Sequence, residues 1–368
     1  MRSIRAAALL IAAGLSLPAA AEDRALFVGV GAYQNGINPL PGIDMDVENM
    51  KVVARKLGFT DAQMKTLMDK DATHDAIHKS IVAWLTDGVS AKDRVFFYYS
   101  GHGTRVRDQD GDEADGFDEA IVPVDTRRGE NGPENLMLDD ELGPLLAAIP
   151  AGRVYAFIDA CHSGTLTRSM GGDLVGKFVK LDDGFADDDP RVGKALEDGA
   201  VADGEVSKST STHLVMVTAA NEKQQAQATR GGSLFTLGVL DAVDKAQAGH
   251  RPLTANEIQE TSAKYIADDL TKRGRPQLIH TPTVDGNPDL ASADVFKAVA
   301  VAPTPTAARP ATTSAPASAP ASAARPPAAV TASASAGTSA PPESVWAQLE
   351  GLTRKASYKV HVLSLIHI

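Results

Sequence analysis

The chain has 368 residues, 43% hydrophobic and 23% charged, which supplies enough apolar material for a packed core and excludes a wholly disordered chain. Lys and Arg number 36 against 47 Asp and Glu, a net charge of -11, so the broad basic surface that binds phosphate backbones is excluded and no nucleic-acid partner is expected. The single cysteine, Cys161, excludes an internal disulfide framework.

Met1 to Ala21 has a basic start at Arg2 and Arg5, an apolar run from Ala6 to Leu17, and small residues at Ala19, Ala20 and Ala21. That is the layout of a secretory signal peptide, and the run is too short to span a bilayer. The expectation is an exported protein, periplasmic or secreted, with no integral membrane segment once residues 1–21 are removed.

Four short apolar runs follow in which β-branched and aromatic residues are frequent: Ala25 to Val30, Val95 to Tyr99, Val154 to Ile158 and Leu214 to Thr218. Such runs suit strands of a sheet buried on both faces. Helical stripes lie between and after them. Val47, Met50, Val53 and Leu57 share one face of a helix beginning near Asp44 or Asp46 and ending at Gly58. Thr73 caps a second, with Ile77, Ile81, Trp84 and Leu85 inward, and a third runs from Asp139 with Leu142, Leu145, Leu146 and Ile149 inward. Gly232 to Lys245 and Ala255 to Leu270 give two more. The alternation predicts an α/β domain with a mainly parallel sheet covered by helices on both faces.

Residues 299–342 form an Ala/Pro/Ser/Thr linker; positions 303–342 hold nine prolines, two arginines and no acid, a composition that cannot build a core. Beyond it, Trp346, Leu349 and Leu352 begin a helical pattern. The last six residues, Leu363 to Ile368, resemble a translated sequencing adapter, so 343–368 is expected to be the truncated start of a C-terminal domain with an artefactual end.

Functional groups in parallel sheets gather beyond the carboxyl ends of the strands. There the second strand runs into Ser100-Gly-His-Gly103 and the third into Asp159-Ala-Cys-His-Ser-Gly164. If those strands are neighbours, His102 and Cys161 meet at one edge. A thiol beside an imidazole is the minimum kit for nucleophilic attack on a carbonyl, and the flanking glycines let backbone N–H groups approach a developing oxyanion. His162 is given no catalytic role, because adjacent residues on a turn point apart.

Tyr99-Ser-Gly-His-Gly103, the acidic run Asp110 to Glu119, Ile121-Val-Pro-Val-Asp125, Asp139-Asp-Glu-Leu142 and Asp159-Ala-Cys-His-Ser-Gly164 resemble, in order, the motifs of metacaspases within the caspase-like cysteine peptidases. The resemblance implies a caspase-like three-layer sandwich over residues 22–298: a large-subunit-like part at 24–164, an acidic intersubunit loop at 165–212 and a small-subunit-like part at 213–298. The separation of His102 and Cys161, 161 − 102 = 59 residues, suits the spacing of about 50 known for caspases, although their Gln-Ala-Cys-x-Gly signature is not matched.

The resemblance makes His102 the general base and acid, Cys161 the nucleophile, and the N–H groups of Gly103 and Cys161 the oxyanion donors. It also places a substrate pocket at Asp46, Ser100 and Asp159, whose acids call for protein or peptide substrates with Arg or Lys at the cleaved position. A plain helix N-cap is the competing role for Asp46. No cofactor is required for this chemistry. Calcium, as an activator, would sit at Asp139 and Asp140 with Asp118, but the acid expected after the nucleophile is missing, Arg168 lying in that stretch. The alternative there is a solvated acidic loop with Asp139 capping its helix. Arg168, Lys177, Lys180, Arg191, Lys194 and Lys208 are the candidate points of self-cleavage in the loop, with no means of choosing among them. The rival to an enzyme is a catalytically silent caspase-like module that binds peptides.

Overall fold

The computed structural model describes residues 22–108, 113, 116–130, 132–162, 173–181, 211–221 and 223–297. The leader, the linker, the segment at 343–368 and most of the acidic loop lie outside the described residues.

The chain enters through β1 (Arg24–Gly29) and α1 (Ile43–Lys56), followed by β2 (Met64–Met68) and α2 (His74–Ser80), which continues as a π-helical turn over Ile81–Thr86. Next come β3 (Arg94–Ser100), β4 (Gly103–Arg107), β5 (Phe117–Ile121), the small hairpin of β6 (Arg127–Gly129) and β7 (Gly132–Glu134), β8 (Met137–Leu138) and α3 (Asp139–Ala147). The second half holds β9 (Arg153–Asp159), β10 (Val175–Gly176), β11 (Leu214–Thr218), β12 (Gln227–Ala228), α4 (Leu234–Ala248), α5 (Ala255–Lys272), β13 (Thr283–Gly286) and the short α6 (Pro288–Ala291).

Six strands make the central sheet in the order β13-β11-β9-β3-β1-β2, parallel throughout except for antiparallel β13. The four apolar runs are its inner strands. Every residue of β3 is buried, as expected of a strand covered on both faces. Alternation along the strands sends Phe27, Phe96, Tyr98, Phe157 and Val217 to one face, where they pack with Met50 and Val53 of α1, Val239 of α4 and Ile266 of α5. The other face is covered by α2, its π-helical extension and α3, through buried Ile77, Leu85, Leu142 and Leu146. The three-layer α/β sandwich is therefore present.

Several boundaries differ from expectation for identifiable reasons. Helix α1 starts at Ile43 with Gly42 as its cap residue, so Asp46 stands one turn inside and is no N-cap. Helix α3 starts at Asp139 with Leu138 before it, so Asp139 is not the cap either. The edge strands β2 and β13 escape a reading based on apolar runs because half or more of their positions are only partly buried. Thr73 does cap α2, its Oγ1 accepting the Ala76 N–H at 3.2 Å. No helix among the described residues is long and apolar enough to cross a membrane.

One buried ion pair ties the start of the sheet together. Arg94 donates from its backbone N to Asp23 Oδ1 at 2.7 Å, and from Nε and Nη2 to Asp23 Oδ2 at 3.1 and 2.7 Å. Its Nη1 reaches the carbonyls of Leu57 and Val295 at 3.0 and 3.3 Å. Replacing Asp23 with Asn leaves the guanidinium buried without its counter-charge, so Asp23→Asn should lower unfolding free energy by about 3 kcal/mol or more, read as an earlier denaturant midpoint.

Candidate active site

Strands β3 and β9 are parallel neighbours, with Ser100 opposite Asp159. Each continues two residues past that pair, which delivers His102 and Cys161 to the same edge of the sheet. The two loops pass very close: a Cβ on Gly103 would lie 2.1 Å from the Cys161 carbonyl oxygen, so only glycine permits the approach.

His102 is 3% exposed and held from several sides. Its backbone N–H donates to the Tyr33 hydroxyl at 2.7 Å, its carbonyl accepts from the Tyr99 hydroxyl at 2.8 Å, and the Tyr33 ring lies 4.9 Å from the imidazole. Nε2 sits 2.9 Å from the Asn38 carbonyl, an acceptor only. The neutral ring must therefore carry its proton on Nε2, leaving the Nδ1 lone pair unengaged. Burial pushes the imidazole down to about 4, so it is neutral at pH 7. The Cys161 thiol is buried too, with Sγ accepting the Ala226 N–H at 2.7 Å, and burial pushes it up to about 12.

Asp46, Ser100 and Asp159 converge as one fully buried pocket, although they come from a helix and the ends of two strands. The Ser100 hydroxyl donates to Asp46 Oδ2 at 2.8 Å, and the Ser233 N–H donates to Asp46 Oδ1 at 2.5 Å. Asp159 accepts from the hydroxyls of Ser233 at 2.9 Å and Thr236 at 2.7 Å. Ser233 and Thr236, at the start of α4, lie in the Gly232-Ser-Leu-Phe-Thr236 segment, which resembles the small-subunit half of the family; the resemblance gives neither residue a place in the pocket, and at a helix start both read as capping residues.

The pocket is filled by this chain's own Lys177. Its Nζ lies 2.8 Å from Asp159 Oδ1, 2.8 Å from Ser100 Oγ, 3.1 Å from the Asp159 carbonyl and 3.2 Å from Asp46 Oδ2, with no solvent exposure. Burial alone would lower the ammonium's pKa, yet Asp159 and Asp46 carry it above its ordinary value. Burial likewise pushes the Asp46 carboxyl up to about 6, opposed by Lys177 and reinforced by Asp159.

The backbone around Lys177 lies along the site as an added strand. Val175 and Gly176 pair antiparallel with Ala228 and Gln227, and Lys177 N donates to the Ala226 carbonyl at 3.1 Å. The Gly103 N–H donates to the Lys177 carbonyl oxygen at 2.9 Å, and Val179 N donates back to the Gly103 carbonyl at 3.0 Å. The carbonyl of the residue in the acid pocket thus points at the expected oxyanion donor.

The caspase-domain model matches residues 22–285, which take in both loops, the acid pocket and the Lys177 strand. The chain belongs to the caspase-domain family. It is 37% identical to Metacaspase-1 of Mycosarcoma maydis over 152 residues, covering 39% of this chain and 36% of that protein. It is 32% identical to Metacaspase-3 of Arabidopsis thaliana over 153 residues, covering 39% and 41%. The chain thus spans well under half the length of the curated relatives it matches. Among solved structures it is similar to protein GSU0716 of Geobacter sulfurreducens, with a TM-score of 0.53 and 22% identity over 76% of this chain and 99% of that one, a likeness of fold.

Of the acids expected to hold calcium, Asp139 and Asp140 line one cavity in this caspase domain and Asp118 does not. Ala120 pairs with Leu138 and Ile121 with Met137; continued by one step, that register puts Glu119 opposite Asp139. Asp118, its neighbour on β5, points to the opposite face. Glu119, Asp139 and Asp140 line a cavity of about 540 Å³ that also reaches His162 and His213, while Asp118 does not. Burial, with Glu119 and Asp140 adding to it, pushes the Asp139 carboxyl up to about 7. Among the described residues no group of three or more His, Cys, Asp or Glu is placed to hold a metal ion, and no step is derived through one.

Cys161 is the only cysteine, so its alkylation can be counted without ambiguity. Because the thiol is buried and held protonated, iodoacetamide at pH 8 should label the folded chain at least about a hundredfold more slowly than the urea-unfolded chain. Lys177→Ala, which removes the anchor of the covering strand, should speed labelling of the folded protein. Mass spectrometry reads both rates.

Proposed function

We propose that this domain is a cysteine endopeptidase that hydrolyses peptide bonds after Lys or Arg and cuts its own chain after Lys177. The observation that carries the reading is the Lys177 ammonium buried against Asp46, Ser100 and Asp159, with its carbonyl hydrogen-bonded to Gly103 N–H. A cation taken wholly out of water is tolerated only where carboxylates meet it. A pocket built that way selects Lys or Arg and rejects Asp or Glu by like-charge repulsion.

In the reaction Cys161 Sγ bonds to the carbonyl carbon of the basic residue while His102 Nδ1 takes the thiol proton. Gly103 N–H, joined by the N–H of Cys161, stabilises the oxyanion. His102 then passes the proton to the leaving nitrogen, which for self-cleavage is that of Phe178, and a thioester remains on Cys161. Water, deprotonated by the same imidazole, releases the carboxylate and restores the thiol. The Asn38 carbonyl holds the Nε2 proton throughout, so the base is Nδ1 in each step. A module that merely bound peptides would need the acid pocket but not a buried, unengaged imidazole nitrogen at the same sheet edge as a thiol.

Purified protein should accumulate a fragment whose first residue is Phe178, and Cys161→Ala should stay whole; a Cys161→Ala protein that is still cut after Lys177 excludes self-processing. Arg-ended and Lys-ended fluorogenic peptides should be hydrolysed and Asp-ended ones left intact. Asp46→Asn and Asp159→Asn should each lower kcat/KM on the Arg peptide by about a hundredfold or more, since a buried cation then loses a counter-charge. Preference for the Asp-ended peptide overturns the assignment.

The pH dependence follows from Asp46. Its carboxyl titrates near 6 with Lys177 in place, and losing that cation's downward pull moves the titration no lower. Acidification below that point neutralises a carboxylate that the basic residue needs. The kcat/KM for the Arg peptide should therefore fall between pH 7.5 and 5. Asp46→Asn, slower overall, should lose this part of the acid limb and keep any part due to His102.

A further inference from the structure

Resting on the reading of the site as a Lys/Arg peptidase, the structure also assigns the neighbouring subsite. We infer that Gln225 selects glycine at the residue preceding the basic one, so that the substrate class is extended segments carrying Gly-Lys or Gly-Arg.

The strand over Val175–Val179 lies where a substrate would, and Gly176 precedes the basic residue. A Cβ built on Gly176 would fall 2.2 Å from Gln225 Cδ and 2.4 Å from both Nε2 and Oε1, closer than real Cβ contacts come. The Gln225 carboxamide therefore occupies the space into which the side chain of that substrate residue would project.

The backbone of Gln225 belongs to the same turn as the catalytic contacts. Its carbonyl accepts from Gln227 Nε2 at 3.0 Å, and the next residue, Ala226, bonds both Cys161 Sγ and Lys177 N. The turn cannot retreat without loosening the nucleophile, so a larger residue must displace the Gln225 side chain itself. That displacement is a cost met only by substrates other than glycine, which makes it a source of selectivity.

The test uses the full chain and two fluorogenic peptides that differ only in Gly-Arg or Leu-Arg at the cleaved end. Wild type should favour Gly-Arg by about fivefold in kcat/KM, chiefly through KM, because the partly exposed Gln225 side chain has to rotate out of the way of a larger residue. Gln225→Ala should narrow the ratio to about twofold by improving the Leu-Arg peptide. Within the chain, Gly176→Leu should slow self-cleavage after Lys177, and adding Gln225→Ala should restore it. That rescue separates subsite closure from misfolding.

Equal rates on the two peptides in wild type, or a ratio that Gln225→Ala leaves unchanged, overturns the role of Gln225 while the Lys/Arg reading stands. Failure to cleave any Arg or Lys peptide overturns both.

Discussion

A single ammonium group, that of Lys177, sets the terms for the rest of the site. It lies fully buried between the carboxylates of Asp46 and Asp159, and such an arrangement persists only when each charge also has good hydrogen-bond partners. The fold supplies them from four elements. Helix α1 presents Asp46, the carboxyl ends of β3 and β9 present Ser100 and Asp159, and the start of α4 adds Ser233 and Thr236. These positions converge only because β3 and β9 pair in the register that puts Ser100 opposite Asp159.

The same register places the chemistry. Two residues beyond Ser100 and Asp159 stand His102 and Cys161, so the acid pocket and the imidazole and thiol are successive stations on one pair of loops. The Lys177 strand engages both: its side chain enters the pocket and its carbonyl accepts from Gly103 N–H. With that strand in place the imidazole is neutral and the thiol protonated, each for the same reason, loss of water around the charged form. Loss of water around the site thus favours the uncharged form of both groups.

Rigidity around His102 comes from two tyrosines, one of them outside the motifs. Tyr33, beyond β1, and Tyr99, at the end of β3, bond the His102 backbone and both reach the Val122 carbonyl, at 3.1 and 2.9 Å. Together they hold the loop against the chain that leads out of β5, and the Asn38 carbonyl then needs only to orient a ring whose backbone is already placed.

The apolar runs of β1, β3, β9 and β11 were legible because strands buried on both faces must be continuously apolar, and the helices between them because one-sided burial leaves a 3.6-residue period. Cys161 and His102 were legible because strand ends, glycines and residue type coincide there. The acid pocket was legible through resemblance, while local pattern alone left Asp46 as a helix cap. That Asp118 faces away from Asp139 was not legible, since the face of a strand depends on a pairing register that composition does not encode. Tyr33, Asn38 and Gln225 carried no signal, and Ser233 and Thr236 a resemblance without a role, because ordinary polar residues acquire a role only from what the fold sets beside them. Sequence by itself determined the α/β class and singled out Cys161 and His102 at the strand ends, which follow from local pattern and residue chemistry. Which of six basic residues fills the pocket, and what side chain stands against Gly176 next to it, was decided by tertiary structure, because those are contacts between segments far apart in the chain.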